Sequence, residues 1–110
     1  MTTMKRRSML FGAAAVISGL LTTAVQAQNT VKIGSVLSVT GPASFLGDPE
    51  KKTLEMYIRD INAAGGVNGK KVELIIYDDG GDSSKARTFA TRLVEEDKVD
   101  AVIAGSITGT

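Results

Sequence analysis

Cysteine and histidine are both missing from the 110 residues. Without cysteine there is neither a disulfide nor a thiolate metal site, and the redox compartment stays open. Without histidine there is no imidazole base and no histidine-ligated zinc. Charge of one sign is scarce as well: 13 Lys and Arg stand against 12 Asp and Glu, so no basic excess argues for nucleic acid. The phosphate-binding signatures are also wanting. Gly41 and Gly47 lie six apart with bulky Phe45 and Leu46 between them, which does not fit G-x-G-x-x-G, and no Walker lysine follows. No G-x-S-x-G elbow marks a hydrolase nucleophile.

Long apolar runs are limited to the first residues. Lys5-Arg6-Arg7 precede Met9 to Ile17 and Gly19-Leu20-Leu21, and the stretch closes on Ala24-Val25-Gln26-Ala27. A basic start, an apolar middle and a small-residue cleavage site predict a cleavable export signal over residues 1–27. Ser18 and Gly19 interrupt the run, which falls short of the ~20 apolar residues of a spanning helix. Arg6-Arg7-Ser8-Met9-Leu10 also resembles a twin-arginine signal. Cleavage removes Lys5, Arg6 and Arg7, leaving ten basic against twelve acidic residues. That mild acidity suits an exported small-molecule protein and not a nucleic-acid binder.

Residues 28–110 alternate strand and helix patterns. Val31 to Val39 is a β-branched, nearly continuous apolar stretch, as in a strand buried on both faces, and Gly41-Pro42 stops it. Asp48 as N-cap, Pro49 in the first turn and Glu50 at the positive dipole end predict a helix from Asp48. Its apolar face carries Leu54, Tyr57, Ile58 and Ile61, and Gly65-Gly66 ends it. After an Asn68-Gly69 turn, Val72 to Tyr77 reads as a second strand. Asp82 or Ser83 caps a second helix with Ala86, Phe89, Ala90, Leu93 and Val94 inward, and Val99 to Ala104 is a third strand. The βαβαβ order predicts an α/β fold with a parallel sheet in the order second, first, third. The loops after strands one and three then diverge at a switch point, forming a cleft lined by 40–47 and 105–110.

Those lips bear hydroxyls. Thr40, Ser44, Ser106, Thr108 and Thr110 can donate to a carboxylate or accept from an ammonium, and Phe45 and Leu46 can cover an apolar portion. The competing duty of such hydroxyls is to satisfy turn backbone. Asp78, Asp79 and Asp82 could hold a hard cation, but without EF-hand spacing the expectation is loop solvation and helix capping. Tyr57 and Phe89 are expected in core packing.

Three stretches, "VKIGSVLSVTGPASFLGD", "INAAGGVNGKKVELIIYDDGGDSSKA" and "LVEEDKVDAVIAG", resemble the start of type I periplasmic solute-binding proteins. The nearest group is the leucine/isoleucine/valine-binding branch that serves branched-chain amino acid ABC importers, and the resemblance covers nearly all of residues 31–108. It implies two α/β lobes closing on a small amino acid-like ligand, presentation to a membrane permease, a periplasmic location, and neither catalysis nor a cofactor. It implies first-lobe contacts at Thr108, with Ser106 and Thr110 as neighbours, and places Leu46 where some relatives present a ligand-covering aromatic. Ser44 and Phe45 belong to the same lip. Some relatives carry a disulfide near positions held here by Gly81 and Ile107. Family chains are several times longer, so residues 28–110 read as a truncated, N-terminal part of lobe one whose third strand has an exposed edge. A ligand-sensing domain of a receptor or regulator of the same fold is the alternative.

Overall fold

The computed structural model describes residues 30–110; the expected signal, residues 1–27, lies outside the described residues. Five elements follow in order: β1 (Thr30–Leu37), α1 (Ser44–Ala63), β2 (Lys71–Asp78), α2 (Ser83–Glu95) and β3 (Ala101–Ala104). The three strands are parallel in the order β2-β1-β3. Register runs from Thr30 against Lys71 to Leu37 against Asp78, and from Ile33 against Ala101 to Val36 against Ala104. The expected strand order and parallel pairing therefore hold.

Central position buries β1 from Gly34 to Leu37. On one face Val36, Ala86 and Leu93 form the core, with Ile75, Tyr77, Phe89 and Val99 packed around it. Leu93 fits because Gly34 has no side chain: a Cβ there would stand 2.7 Å from a Leu93 methyl. Phe89 stacks on Tyr77 at 4.9 Å between ring centroids, with the Arg92 guanidinium 5.5 Å from the Tyr77 centroid. Val94, expected inward, is 61% exposed because it is rotated about 100° from Leu93 around the helix.

On the other face α1 starts earlier than the cap pattern predicts. Ser44, not Asp48, is its first residue, and Ala43 precedes it without any side-chain cap. Gly47 is the physical reason. Its buried backbone lies so close to β1 that an added Cβ would sit 1.9 Å from the Ser38 carbonyl oxygen. A glycine there lets a further turn pack on the strand end, and Pro49 falls inside the helix, forgoing one amide bond. Asp48 instead accepts from Lys52 Nζ at 2.7 Å, one turn on. Leu54, Ile58 and Ile61 are half-buried as expected, whereas Tyr57 is 58% exposed. At 100° per residue Tyr57 lies about 67° from the centre of that stripe. Core packing is therefore wrong for Tyr57 and right for Phe89.

Left-handed Gly65 and Gly66 end α1, and Gly66 N–H donates to Ile61 O at 2.8 Å. Asn68 and Gly69, both at positive φ, make the tight turn between Val67 and Lys70. Asn62 does something no local pattern announces. Its side chain donates to Val72 O at 2.9 Å and accepts from Val72 N–H at 2.8 Å, occupying the flank of β2 that faces away from β1. On β3, Val102 and Ile103 are 43% and 46% exposed, as expected of an edge.

Candidate functional site

Parallel strands put all three following loops at one end of the sheet, and polar side chains stitch them together there. Ser38, directly after β1, is fully buried. Its hydroxyl donates to Asp79 Oδ1 at 2.6 Å, and its amide donates to Ser106 Oγ at 3.0 Å. Ser106 Oγ in turn donates to Glu50 Oε2 at 2.7 Å. The first residue after β1, the start of the loop after β3 and α1 therefore meet at one rim. Gly105 N–H adds a longer bond to Val36 O at 3.3 Å.

The aspartates differ in setting: Asp79 is buried, Asp78 is half-buried and Asp82 is exposed. Asp78 accepts from the amides of Val39, Thr40 and Gly80 at 2.9, 3.1 and 2.9 Å, and from the Thr40 hydroxyl at 2.6 Å. Burial alone would push its carboxyl up, but the Thr40 hydroxyl and the three amides outweigh that and hold it below the ordinary carboxylate range. Asp79 is fully buried, also accepts Gly81 N–H at 2.7 Å, and keeps Oδ2 without a partner among the described residues. Loop solvation is thus the wrong expectation for Asp79, because the strand end turns it inward under Ser38. Asp82 is the helix cap: the amides of Lys85 and Ser84 donate to it and hold its carboxyl below the usual range. Among the described residues no cluster of three or more metal-ligating side chains occurs. Gly41, at φ 84°, lies against Gly80, where a Cβ would stand 2.5 Å from the carbonyl oxygen, so the loops after β1 and β2 touch through bare backbone.

Against this frame the candidate residues sort themselves. Ser106 is half-buried and internally bonded. Thr108 is exposed beyond it, and Thr110 is half-buried with its hydroxyl 3.4 Å from Ile107 O. Ser44 opens α1 with its amide on Gly41 O at 3.1 Å. Phe45 and Leu46, on the first turn of α1, are 73% and 37% exposed. Thr40 spends its hydroxyl on the Asp78 carboxylate, and so serves not the turn backbone expected of it but a side chain. Sequence reasoning missed Ser38, Glu50 and the binding of Asp78 to the first loop. The one available signal was a serine inside an apolar strand run. A groove of about 370 Å3 runs between α1 and β3, lined by Leu37, Glu50, Leu54, Ile103 and Gly105 among others. It lies beneath the rim, and the hydroxyl candidates do not line it.

Comparison with known proteins agrees with this geometry. The family described as periplasmic binding protein matches residues 30–110. The leucine-, isoleucine-, valine-, threonine- and alanine-binding protein of Pseudomonas aeruginosa is 40% identical over 92 residues, covering 84% of this chain and 24% of that protein. The branched-chain amino acid transporter substrate-binding protein LivJ of Streptococcus pneumoniae, solved with isoleucine, superposes with a TM-score of 0.71 at 34% identity. That match covers 73% of this chain and 23% of LivJ. An ABC-transporter solute-binding protein of Rhodopseudomonas palustris, solved with 3,4-dihydroxybenzoic acid, gives a TM-score of 0.61 at 28% identity, covering 68% of this chain and 20% of that one. The chain thus spans about a quarter of the length of the curated relatives it matches. With a βαβαβ sheet start, a shared loop rim and this match along every described residue, the chain belongs to the type I periplasmic binding proteins, in their leucine/isoleucine/valine-binding branch.

Proposed function

We propose that the protein is the substrate-binding component of an ABC importer. It captures a small polar solute, a branched-chain amino acid or a related amide or carboxylate, and delivers it to a membrane permease. It works by binding and closure, not by catalysis, and residues 1–27 export it to the periplasm. Residues 28–110 belong to its first lobe. Thr108, Ser106 and Thr110 form one lip of the site, and Ser44, Phe45 and Leu46 form the other.

The observation that carries this reading is the Ser38 amide bonded to Ser106 Oγ at 3.0 Å, which joins the loops after β1 and β3 at one mouth. Support also comes from the amino acids named for the Pseudomonas and Streptococcus relatives. Exposed Phe45 offers an apolar cover beside hydroxyls, the pairing a small amphiphilic solute needs. Closure follows if the solute makes its full set of contacts only with both lobes together.

The test is a thermal-shift screen of the full-length mature protein against L-leucine, L-isoleucine, L-valine, their amides, 3,4-dihydroxybenzoate and ATP. A true solute at a hundredfold excess over its Kd adds about 2.7 kcal/mol of stability. A shift with ATP and none with the small solutes overturns the importer reading. A shift with the aromatic acid alone keeps the importer and replaces the amino acid. Thr108→Val keeps side-chain size and deletes one hydroxyl, so affinity should fall about tenfold with an unchanged melting temperature. Equal affinity removes Thr108 from the site.

A further inference from the structure

The bond from Ser106 to Glu50 at the rim has no task in the solute reading. Ser106 Oγ donates to Glu50 Oε2 at 2.7 Å while accepting the Ser38 amide at 3.0 Å. A serine hydroxyl has one proton and two lone pairs. Its proton is already given to Glu50 and one lone pair is taken, so Ser106 has nothing left to donate to a solute carboxylate. We propose that Glu50 is a positioning residue for the solute-holding loop. Through the Ser106 hydroxyl it fixes residues 105–110 against the end of β1, and Ser106 keeps only one lone pair for a solute. This rests on the reading of 105–110 as a solute-contacting segment.

Three further observations bear on it. First, Glu50 is a fixed post. Gly47, one turn earlier on the same helix face, is pressed on the carbonyl of Ser38, the residue whose amide meets Ser106. Helix, strand end and loop are thereby triangulated through Ser38. Second, the bond is charge-assisted, short and partly buried, which places it among the stronger hydrogen bonds. Third, the loop's other ties are weaker. Among the described residues they are the Gly105–Val36 bond at 3.3 Å and a local turn in which the Thr110 N–H and hydroxyl donate to Ile107 O at 3.1 and 3.4 Å. The strand that feeds the loop, β3, is exposed along its length.

The experiment uses the full-length mature protein with Glu50→Ala, Glu50→Gln, Ser106→Ala and the double change Glu50→Ala with Ser106→Ala. Two readouts are taken: amide hydrogen exchange without solute, and calorimetric affinity for L-isoleucine. Glu50→Ala should speed exchange across 105–110 about tenfold and weaken L-isoleucine by a similar factor, with β1 and α2 unchanged. Glu50→Gln should recover most of both, because its amide oxygen still accepts the Ser106 proton. The double change should be no worse than Ser106→Ala alone, as expected of two groups sharing one interaction. Unchanged exchange at 105–110 in Glu50→Ala, no recovery in Glu50→Gln, or additive effects would each overturn the proposal. Faster exchange throughout β1 would also overturn it, by making Glu50 a general stability residue. If the unaltered protein ignores L-isoleucine, only the choice of solute falls, and the exchange and recovery results still decide the role of Glu50.

Discussion

The face of the sheet beneath α2 and the rim at its carboxyl end are built from opposite materials. Beneath α2, Val36, Ala86 and Leu93 close against Gly34 without a polar atom in the cluster. At the rim, buried Ser38 and Asp79 sit among carboxylates, hydroxyls and amides. Ser35 Oγ donates to Ile103 O at 2.6 Å, so even the last turn of the strand before the rim ties β1 to β3 through a hydroxyl. The apolar face tolerates small geometric error, since burial is non-directional. The rim does not, since a buried polar group left unpaired costs more than a paired one returns. Stability is therefore concentrated on one side and shape on the other.

Leu93→Ala tests the apolar half hardest. Leu93 is 0% exposed, and its truncation should cost about 2–5 kcal/mol, read as a fall in the denaturant midpoint with unchanged slope. A loss below half a kcal/mol would mean that α2 does not carry the fold. Gly47→Ala comes next and probes the seam between the halves. The added methyl meets the Ser38 carbonyl, so overpacking of about 1–3 kcal/mol is expected, together with a displaced Phe45-Leu46 turn and weaker solute binding. Full stability with full affinity would show that α1 can shift freely.

Asp78→Asn is the smallest change and the most specific. One accepting oxygen survives and the charge is lost, so about 1 kcal/mol should disappear at neutral pH. The Asp78 and Asp82 carboxyls both lie below their ordinary value of 3.8 in the folded chain. Their contribution is accordingly complete above that value and is lost as the pH falls through the lowered one. Acid unfolding of the Asn variant should be shallower over that window. An identical acid limb in the two proteins would assign the pH dependence to other carboxylates.

The same contrast explains what the sequence could tell. Helical and strand periodicities are local, so β1, β2 and α2 could be read from spacing, and the order of the sheet from the connection rules for βαβαβ chains. So could the Asp82 cap, which reaches only to Ser84 and Lys85. The rim pairs are distant: Ser38 meets Asp79 across 41 positions and Ser106 across 68, and Glu50 meets Ser106 across 56. No periodicity encodes such pairs. The start of α1 was misread for a related reason. Asp48-Pro49-Glu50 has every mark of a helix beginning, and only the approach of Gly47 to Ser38, a tertiary fact, allows one earlier turn. Thr40, Ser44, Ser106, Thr108 and Thr110 look alike as hydroxyls in a loop. The structure separates them by what each already holds.

Asn62 gives the sheet a direction. By filling the hydrogen-bonding places of Val72, its amide stands where the backbone of a neighbouring strand would otherwise lie. That flank is already occupied at its start, while Val102 and Ile103 leave the opposite flank bare. Any extended segment seeking to lengthen the ribbon, whether from this polypeptide or from a stray molecule, meets a hem stitched shut at its start on the β2 side and an open one beside β3.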